Sequence, residues 1–381
     1  MSTEMSSSAA SSSSIRDRVL AHLGALVAAD TRNPPRAGAG IDAVFTHVKS
    51  ELPVDFVVEE KDLGDGCRWL KATRGDASSS PLVNVHIDTV PRDEGWTRDP
   101  WTLDVVVVDG RERAVGLGAC DIKGAVAAFL VAAADTSGPA ELLLTSDEEA
   151  GSSRCVRTFV QQQPVEGRLI LVAEPTSGTA VVAHRGIGTA VATFNGVAGH
   201  ASGKRALVDS AVAEAVRFCG KALDFAGADD NSIRLNLGRI EGGTKANMIA
   251  SSCLVRFGVR PPPESTPESV LATLADFVDV TRGTFERGFV APACPAPFAD
   301  RSIAAARANS RSRADALGLV AGDDVDFFTE AAFFSGAGAD AVVFGPGDIA
   351  QAHAADEWVL VDDLVAVSLA YARIIGTSRA L

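Results

Sequence analysis

The chain has no Cys-x-x-Cys pair, no long apolar run and a shortage of basic residues, and each absence removes a class of function. Its six cysteines, Cys67, Cys120, Cys155, Cys219, Cys253 and Cys294, are widely scattered. In a chain of this size such spacing argues against a disulfide framework or a thiolate zinc site and for free thiols in a reducing cytosol. No stretch approaches the roughly 18 to 20 apolar residues of a membrane span, so no membrane partner is expected. Met1 to Ser14 is rich in Ser and Ala and lacks the apolar core of a secretory signal; it reads as a disordered tail. With 35 basic against 49 acidic residues the net charge is −14. Such a field repels a phosphate backbone, which argues against a nucleic-acid partner.

What is present is the composition of a soluble globular protein. Hydrophobic residues make up 46% and charged residues 22% of 381 positions, enough for about two domains. Ile15, Val19, Leu20, Leu23, Leu26 and Val27 mark one face of a helix over 14–29, and a shorter helix is expected over 42–52. Short apolar runs then alternate with helical patterns: 55–58, 69–73, 82–85, 103–108, a small-residue helix over 123–134, Leu142 to Leu144, a polar helix, and 169–173. This rhythm predicts an α/β domain, a mostly parallel sheet with helices on both faces. From about 180 the pattern changes. Strands at 181–183, 190–194, 233–240, 254–259 and 285–290, with helices at 209–223 and 264–280, predict an inserted α+β sandwich of ferredoxin-like type. The expected division is therefore 15–179 with 292–381 for one domain, and 180–291 for the other.

Polar residues suited to metals fall at the ends of the apolar runs. His86 and Asp88 follow Leu82 to Val85, Glu148 and Glu149 follow Leu142 to Leu144, and Glu174 follows Leu169 to Ala173. His353 follows the run 341–344 and the turn Gly345-Pro346-Gly347. Open α/β sheets bind ligands at the carboxyl ends of their strands. The spacing of His86 and Asp88 points both side chains to one face, so Asp88 can accept from the imidazole nitrogen that does not face a metal. Asp121, in a Gly-rich turn before a helix, can cap that helix or bridge two cations with its two oxygens. The doublet Glu148-Glu149 is either a solvated acidic turn or a ligand beside a base, since a metal relieves the repulsion of one carboxylate and leaves the other to take a proton. Nitrogen and oxygen donors without thiolates suit zinc, with cobalt or manganese as substitutes.

Taken in order, these segments resemble the dinuclear-zinc deacylase and exopeptidase family that includes aminoacylase, succinyl-diaminopimelate desuccinylase, carboxypeptidase G and acetylornithine deacetylase. The match runs from Asp30-Thr31-Arg32-Asn33-Pro34-Pro35 to His353. Phe328-Thr329-Glu330-Ala331 and the segment 345–353 resemble the acetylornithine branch. Ala183-His184-Arg185-Gly186, Gly199-His200-Ala201-Ser202-Gly203-Lys204 and Lys245-Ala246-Asn247-Met248-Ile249-Ala250 resemble the related acetylcitrulline branch.

The resemblance implies roles. Asp121 would bridge two zinc ions, with His86 and Glu174 completing one site and Glu149 and His353 the other. Glu148 would be the general base, Asp88 the partner of His86, and His200 the oxyanion-stabilising histidine, often reaching a neighbouring subunit. Asn247 and Arg260 look like the substrate-recognition pair, although Gly258 stands where the family commonly has Asp, and Arg260 could equally be a structural ion pair. Glu330 is the remaining candidate for substrate binding. It can accept from the substrate amide, face a side-chain amine, or cap the helix 330–335. The implied activity is removal of acetyl from an N-acetyl amino acid in arginine biosynthesis, N-acetylornithine leading and N-acetylcitrulline following, by a cytosolic homodimer formed through the inserted domain. An N-succinyl or dipeptide substrate is the alternative within enzymes, and a metal-free binding protein the alternative outside them.

Overall fold

A computed structural model describes residues 4–151, 153–228 and 232–377, without the side chains of 4–14, 79 and 377. The chain divides into two compact units. One comprises Met1–Val182, Pro297–Asp324 and Thr329–Leu381, and the other Ala183–Ala296 with Val325–Phe328. The sequence reading left Val325–Phe328 in the first domain. In the structure Val325 donates its N–H to Ala183 O, and the Phe328 ring packs edge-on against His184 and Phe289.

The first unit is built on a six-stranded sheet in the order Val57–Asp62, Arg68–Arg74, Ala140–Thr145, Leu82–His86, Leu169–Val172, Asp340–Val343. The last four run parallel and are buried along their whole length, which is why they read as nearly continuous apolar runs and not as alternations. The first two add an antiparallel edge. Val83, Val85, Leu142, Leu144, Leu169 and Leu171 share a core with helices Gly38–Glu51, Gly124–Ala134 and Val361–Thr377. Elsewhere, Phe159 of the helix Arg154–Gln162 packs on Trp69 and on Phe334 of the helix Ala331–Gly336. Ten consecutive residues of Gly124–Ala134 are buried, and all ten are apolar, mostly small or aliphatic with Phe129 the one aromatic.

The first helix, Glu4–Val27, extends through most of the stretch expected to be a disordered tail; Met1–Thr3 lie outside the described residues. Once Ile15, Val19 and Leu23 anchor a helix in the core, preceding Ser and Ala residues extend it without a second nucleation step. A separate three-stranded sheet, Trp358–Leu360, Arg111–Val115 and Asp104–Val108, was not anticipated.

The second unit is a four-stranded antiparallel sheet in the order Arg234–Gly242, Ser252–Arg260, Ile187–Asn195, Gly283–Ala291. Helices Ala211–Ala226 and Pro267–Ala275 pack on it through Phe218, Ala222, Leu271 and Leu274. The helix expected over 209–223 is broken at Ser210, whose hydroxyl caps the longer piece by accepting from Ala213 N at 3.2 Å. The helix expected over 264–280 is shorter, with Thr266 as its N-cap and Pro267 in its first turn. The expected strand at 181–183 forms isolated bridges only.

Candidate active site

The carboxyl ends of the parallel strands bring the predicted ligands together. His86 is the last residue of its strand, Glu148 and Glu149 lie just past Thr145, and Glu174 just past Val172. Asp121 sits in the irregular turn before Gly124–Ala134, with φ −119 and ψ 86. Lys123, not Asp121, occupies the cap position of that helix. Asp121 therefore does not serve as the cap.

Its two oxygens face different ways. Oδ1 lies 3.0 Å from His86 Nε2, and Oδ2 lies 3.3 Å from His353 Nε2. Glu174 Oε1 is 3.8 Å from His86 Nε2, and Glu149 Oε1 is 3.0 Å from His353 Nε2. Two clusters result, His86–Asp121–Glu174 and Asp121–Glu149–His353, each with potential ligand atoms within 4.8 Å of one another. They share Asp121.

The electrostatics show what such a gathering costs without cations. Burial pushes the Glu148 and Glu174 carboxyls well above their usual range, and neighbouring carboxylates add to the push. Glu149 is raised for the same first reason, with His353 opposing. Burial works against a charged His86, but Asp121, Asp88 and Glu174 outweigh it and hold the ring well above its ordinary pKa. His353, bonded to Asp121 and Glu149, is raised to about 11. Among the described residues no Lys or Arg forms an ion pair with Asp121, Glu148, Glu149 or Glu174. Divalent cations would neutralise the same carboxylates, and the donor set fits two such ions. Cys120, beside Asp121, is buried with its thiol pKa pushed well up by burial, and it donates to Asp348 O. It is a packing residue.

Asp88 departs from its expected geometry. His86 Nδ1 lies 3.0 Å from the Asp88 backbone carbonyl and 3.6 Å from its carboxylate. The carboxylate instead accepts from Glu148 N, Glu149 N and Asn33 Nδ2, at 3.2, 3.1 and 2.9 Å. Asp88 therefore fixes the His86 ring through its main chain and the Glu148-Glu149 turn through its side chain. Asn33 lies in the segment 30–35, and no local pattern marks it as the partner of a residue 55 positions away.

Glu330 does not cap the following helix, since its side chain makes no capping bond. It is 1% exposed, accepts from Thr145 Oγ1 at 2.9 Å and is pushed up to about 8 by burial. Glu357, beside His353, passes on sequence for a surface residue. The structure buries it under the Asp121 turn. The signal was its place directly before the apolar Trp358-Val359-Leu360.

His200, Asn247 and Arg260 belong to the second unit. His200 and Met248 pair in a two-stranded sheet, and Ala201 N donates to Asn247 O at 3.1 Å, so His200 and Asn247 are neighbours. His200 is exposed, with Nδ1 held 2.8 Å from Ser202 Oγ and 3.2 Å from Ser202 N. Arg260 ends a strand of the other sheet, opposite Arg234.

Comparison with known proteins agrees with this architecture. The chain is 45% identical over 374 residues to N-acetyl-L-citrulline deacetylase of Xanthomonas campestris pv. campestris, covering 94% of this chain and 98% of the relative. It is 31% identical to acetylornithine deacetylase of Myxococcus xanthus, over 81% of this chain and 82% of that one. Among solved structures, aminopeptidase PepT from Bacillus cereus superposes with a TM-score of 0.72 at 20% identity, covering 95% of this chain and 99% of PepT. Human carnosine dipeptidase 1 gives 0.65 at 16%, covering 96% and 97%. No helix among the described residues is long and apolar enough to cross a membrane. Residues 82–377 match peptidase family M20/M25/M40. The chain belongs to that family and is a metallohydrolase.

Proposed function

We propose that the protein removes the acetyl group from N-acetyl-L-citrulline, with N-acetyl-L-ornithine as the second candidate. The observation that carries the reaction class is the division of Asp121, one oxygen toward each histidine. The substrate order reverses the expectation from sequence. It rests on 45% identity to a citrulline-type enzyme against 31% to an ornithine-type one.

His86, Asp121 and Glu174 would hold one divalent ion, and Asp121, Glu149 and His353 a second, with zinc or cobalt suited to these donors. Bound there, such ions would polarise the amide carbonyl and acidify a water. The remaining work falls to side chains. Glu148, held through its N–H by Asp88, takes the proton of the attacking water and delivers it to the departing amine. His200 is proposed as the donor to the oxyanion, a role typically contributing about 3 to 4 kcal/mol. Asn247 and Arg260 are proposed to recognise the substrate carboxylate, Arg260 through its planar pair of donors. Glu330 is too buried to meet solvent and would act on substrate only at the deepest point of the site. The second unit is proposed to form the contact of a homodimer.

The test is amine release from the two N-acetyl amino acids, side by side, on zinc- or cobalt-loaded protein. The reading expects a higher kcat/KM for N-acetyl-L-citrulline. A preference for N-acetyl-L-ornithine reverses the order. Silence on both, with hydrolysis of an N-succinyl amino acid or a dipeptide, overturns the acetyl assignment.

A further inference from the structure

One buried carboxylate has all its side-chain hydrogen bonds on the backbone of a single turn. Glu357 Oε2 accepts from Gly118 N at 3.0 Å, and Oε1 accepts from Cys120 N at 2.8 Å and Asp121 N at 2.9 Å. The side chain that receives these three bonds is 2% exposed. The turn has no regular structure of its own to satisfy those donors. Asp121 and Ile122 lie outside the helical region, at φ −119, ψ 86 and φ −146, ψ 30. Gly118 is left-handed at φ 77, and a Cβ there would come within 2.6 Å of Thr89 Cγ2. Without Glu357, the N–H groups of Gly118, Cys120 and Asp121 would be buried and unpaired.

Glu357 also belongs to the segment that carries His353. That segment holds two non-glycine residues in the left-handed region, His353 at φ 60 and Asp356 at φ 54. Asp356 fastens it on the outside by accepting from Thr97 N at 2.9 Å. Glu357 fastens it on the inside, through its side chain and through its carbonyl, which accepts from Gly116 N at 3.0 Å. Lys123, 1% exposed, donates to Ala29 O at 2.9 Å.

We propose that Glu357 is a positioning residue that ties the Asp121 turn to the His353 segment and so sets the second of the two cation sites. The first site needs the segment less. His86 and Glu174 stand at strand ends, and only the orientation of Asp121 reaches them from Glu357. In the second site, His353 and Asp121 sit on the two pieces of chain that Glu357 joins. The inference rests on the two-ion reading above.

The experiment is titration of chelated protein with cobalt chloride, followed by visible absorption, beside thermal melting of the same chelated samples. The parent is expected to bind two equivalents in distinct steps. Glu357→Gln keeps one acceptor oxygen but turns an amide toward the third N–H. It should leave the first step within about threefold and weaken the second by roughly tenfold or more, the usual size of losing an outer partner of a metal ligand. Glu357→Ala should retain about one equivalent. Phe159→Leu, a core change outside the site, supplies the pattern of general destabilisation. If Glu357→Gln leaves both steps unchanged, or weakens both equally as Phe159→Leu does, the positioning role is overturned. A parent that binds fewer than two ions overturns the two-ion reading, and this inference with it. If Glu357→Ala does not fold, Glu357→Gln carries the test alone.

Discussion

The two clusters that meet at Asp121 are built from different material. His86, Asp121 and Glu174 are all buried, and two of them end parallel strands whose register is fixed along the sheet. Asp121, Glu149 and His353 are held by turns, and the His353 side chain is 53% exposed with a left-handed backbone. Strand ends place donors with little freedom left to remove. Turn residues need outside help, which here comes from Asp88 under Glu149 and from Glu357 under Asp121. The comparison teaches that one site is set by the fold and the other by hydrogen bonds added to it.

The most damaging change should be at the residue both clusters share. Asp121→Ala is expected to lose both ions and essentially all turnover, as read by elemental analysis and amine release. Retention of a full equivalent by this variant would break the idea of a common ligand. Next in size is Glu148→Gln, which should keep both ions while kcat falls by roughly 10²- to 10⁴-fold. Comparable activity would remove Glu148 from the base role and leave the clusters without an adjacent proton acceptor.

The asymmetry itself is sharpened by the histidines. His353→Ala should cost one equivalent of metal and leave the strand-end ion in place. His86→Ala, in the buried set, should also lower the melting temperature of the loaded protein more than His353→Ala does. Equal losses would show that the turn-held site is as fixed as the other. The smallest effect concerns Glu330, beside the strand ends. Its carboxyl is raised from 4.5 to about 8 by burial, so the folded chain holds a proton that the unfolded chain has released across that window. Stability of the chelated protein should therefore fall as pH rises from about 5 to about 8. Glu330→Gln keeps an acceptor for Thr145 and should flatten that fall; an unchanged slope would assign it to other groups.

Much of this was legible in the sequence because the signals were local. Leu82 to Val85 (interrupted only by Asn84), Leu142 to Leu144 and Leu169 to Val172 are apolar runs, and in the structure they are buried parallel strands with polar residues just beyond them. What was not legible depended on distant chain. The Asp88 carboxylate turns from His86 to Asn33 and the Glu148-Glu149 backbone, a choice made by three donors and not by the His-x-Asp spacing. The apolar run after Glu357 hints at its burial, but its partners in the turn 118–121 lie more than 230 residues earlier and leave no local mark. The start of the longer helix at Ala211 was hidden because the capping hydroxyl of Ser210 acts on the backbone alone. The return of Val325–Phe328 to the second unit was hidden for a similar reason, since its partners lie more than a hundred residues earlier or on a neighbouring strand.

The central claim is that two cations sharing Asp121 enable hydrolysis of an N-acetyl amino acid. Its most direct test is the rate of amine release from N-acetyl-L-citrulline as zinc is returned, in measured equivalents, to chelated protein. The account predicts no release without metal, and a rise that is complete only as the second equivalent binds. Full activity in the chelated protein, or none at two bound equivalents with either N-acetyl-L-citrulline or N-acetyl-L-ornithine, would contradict it.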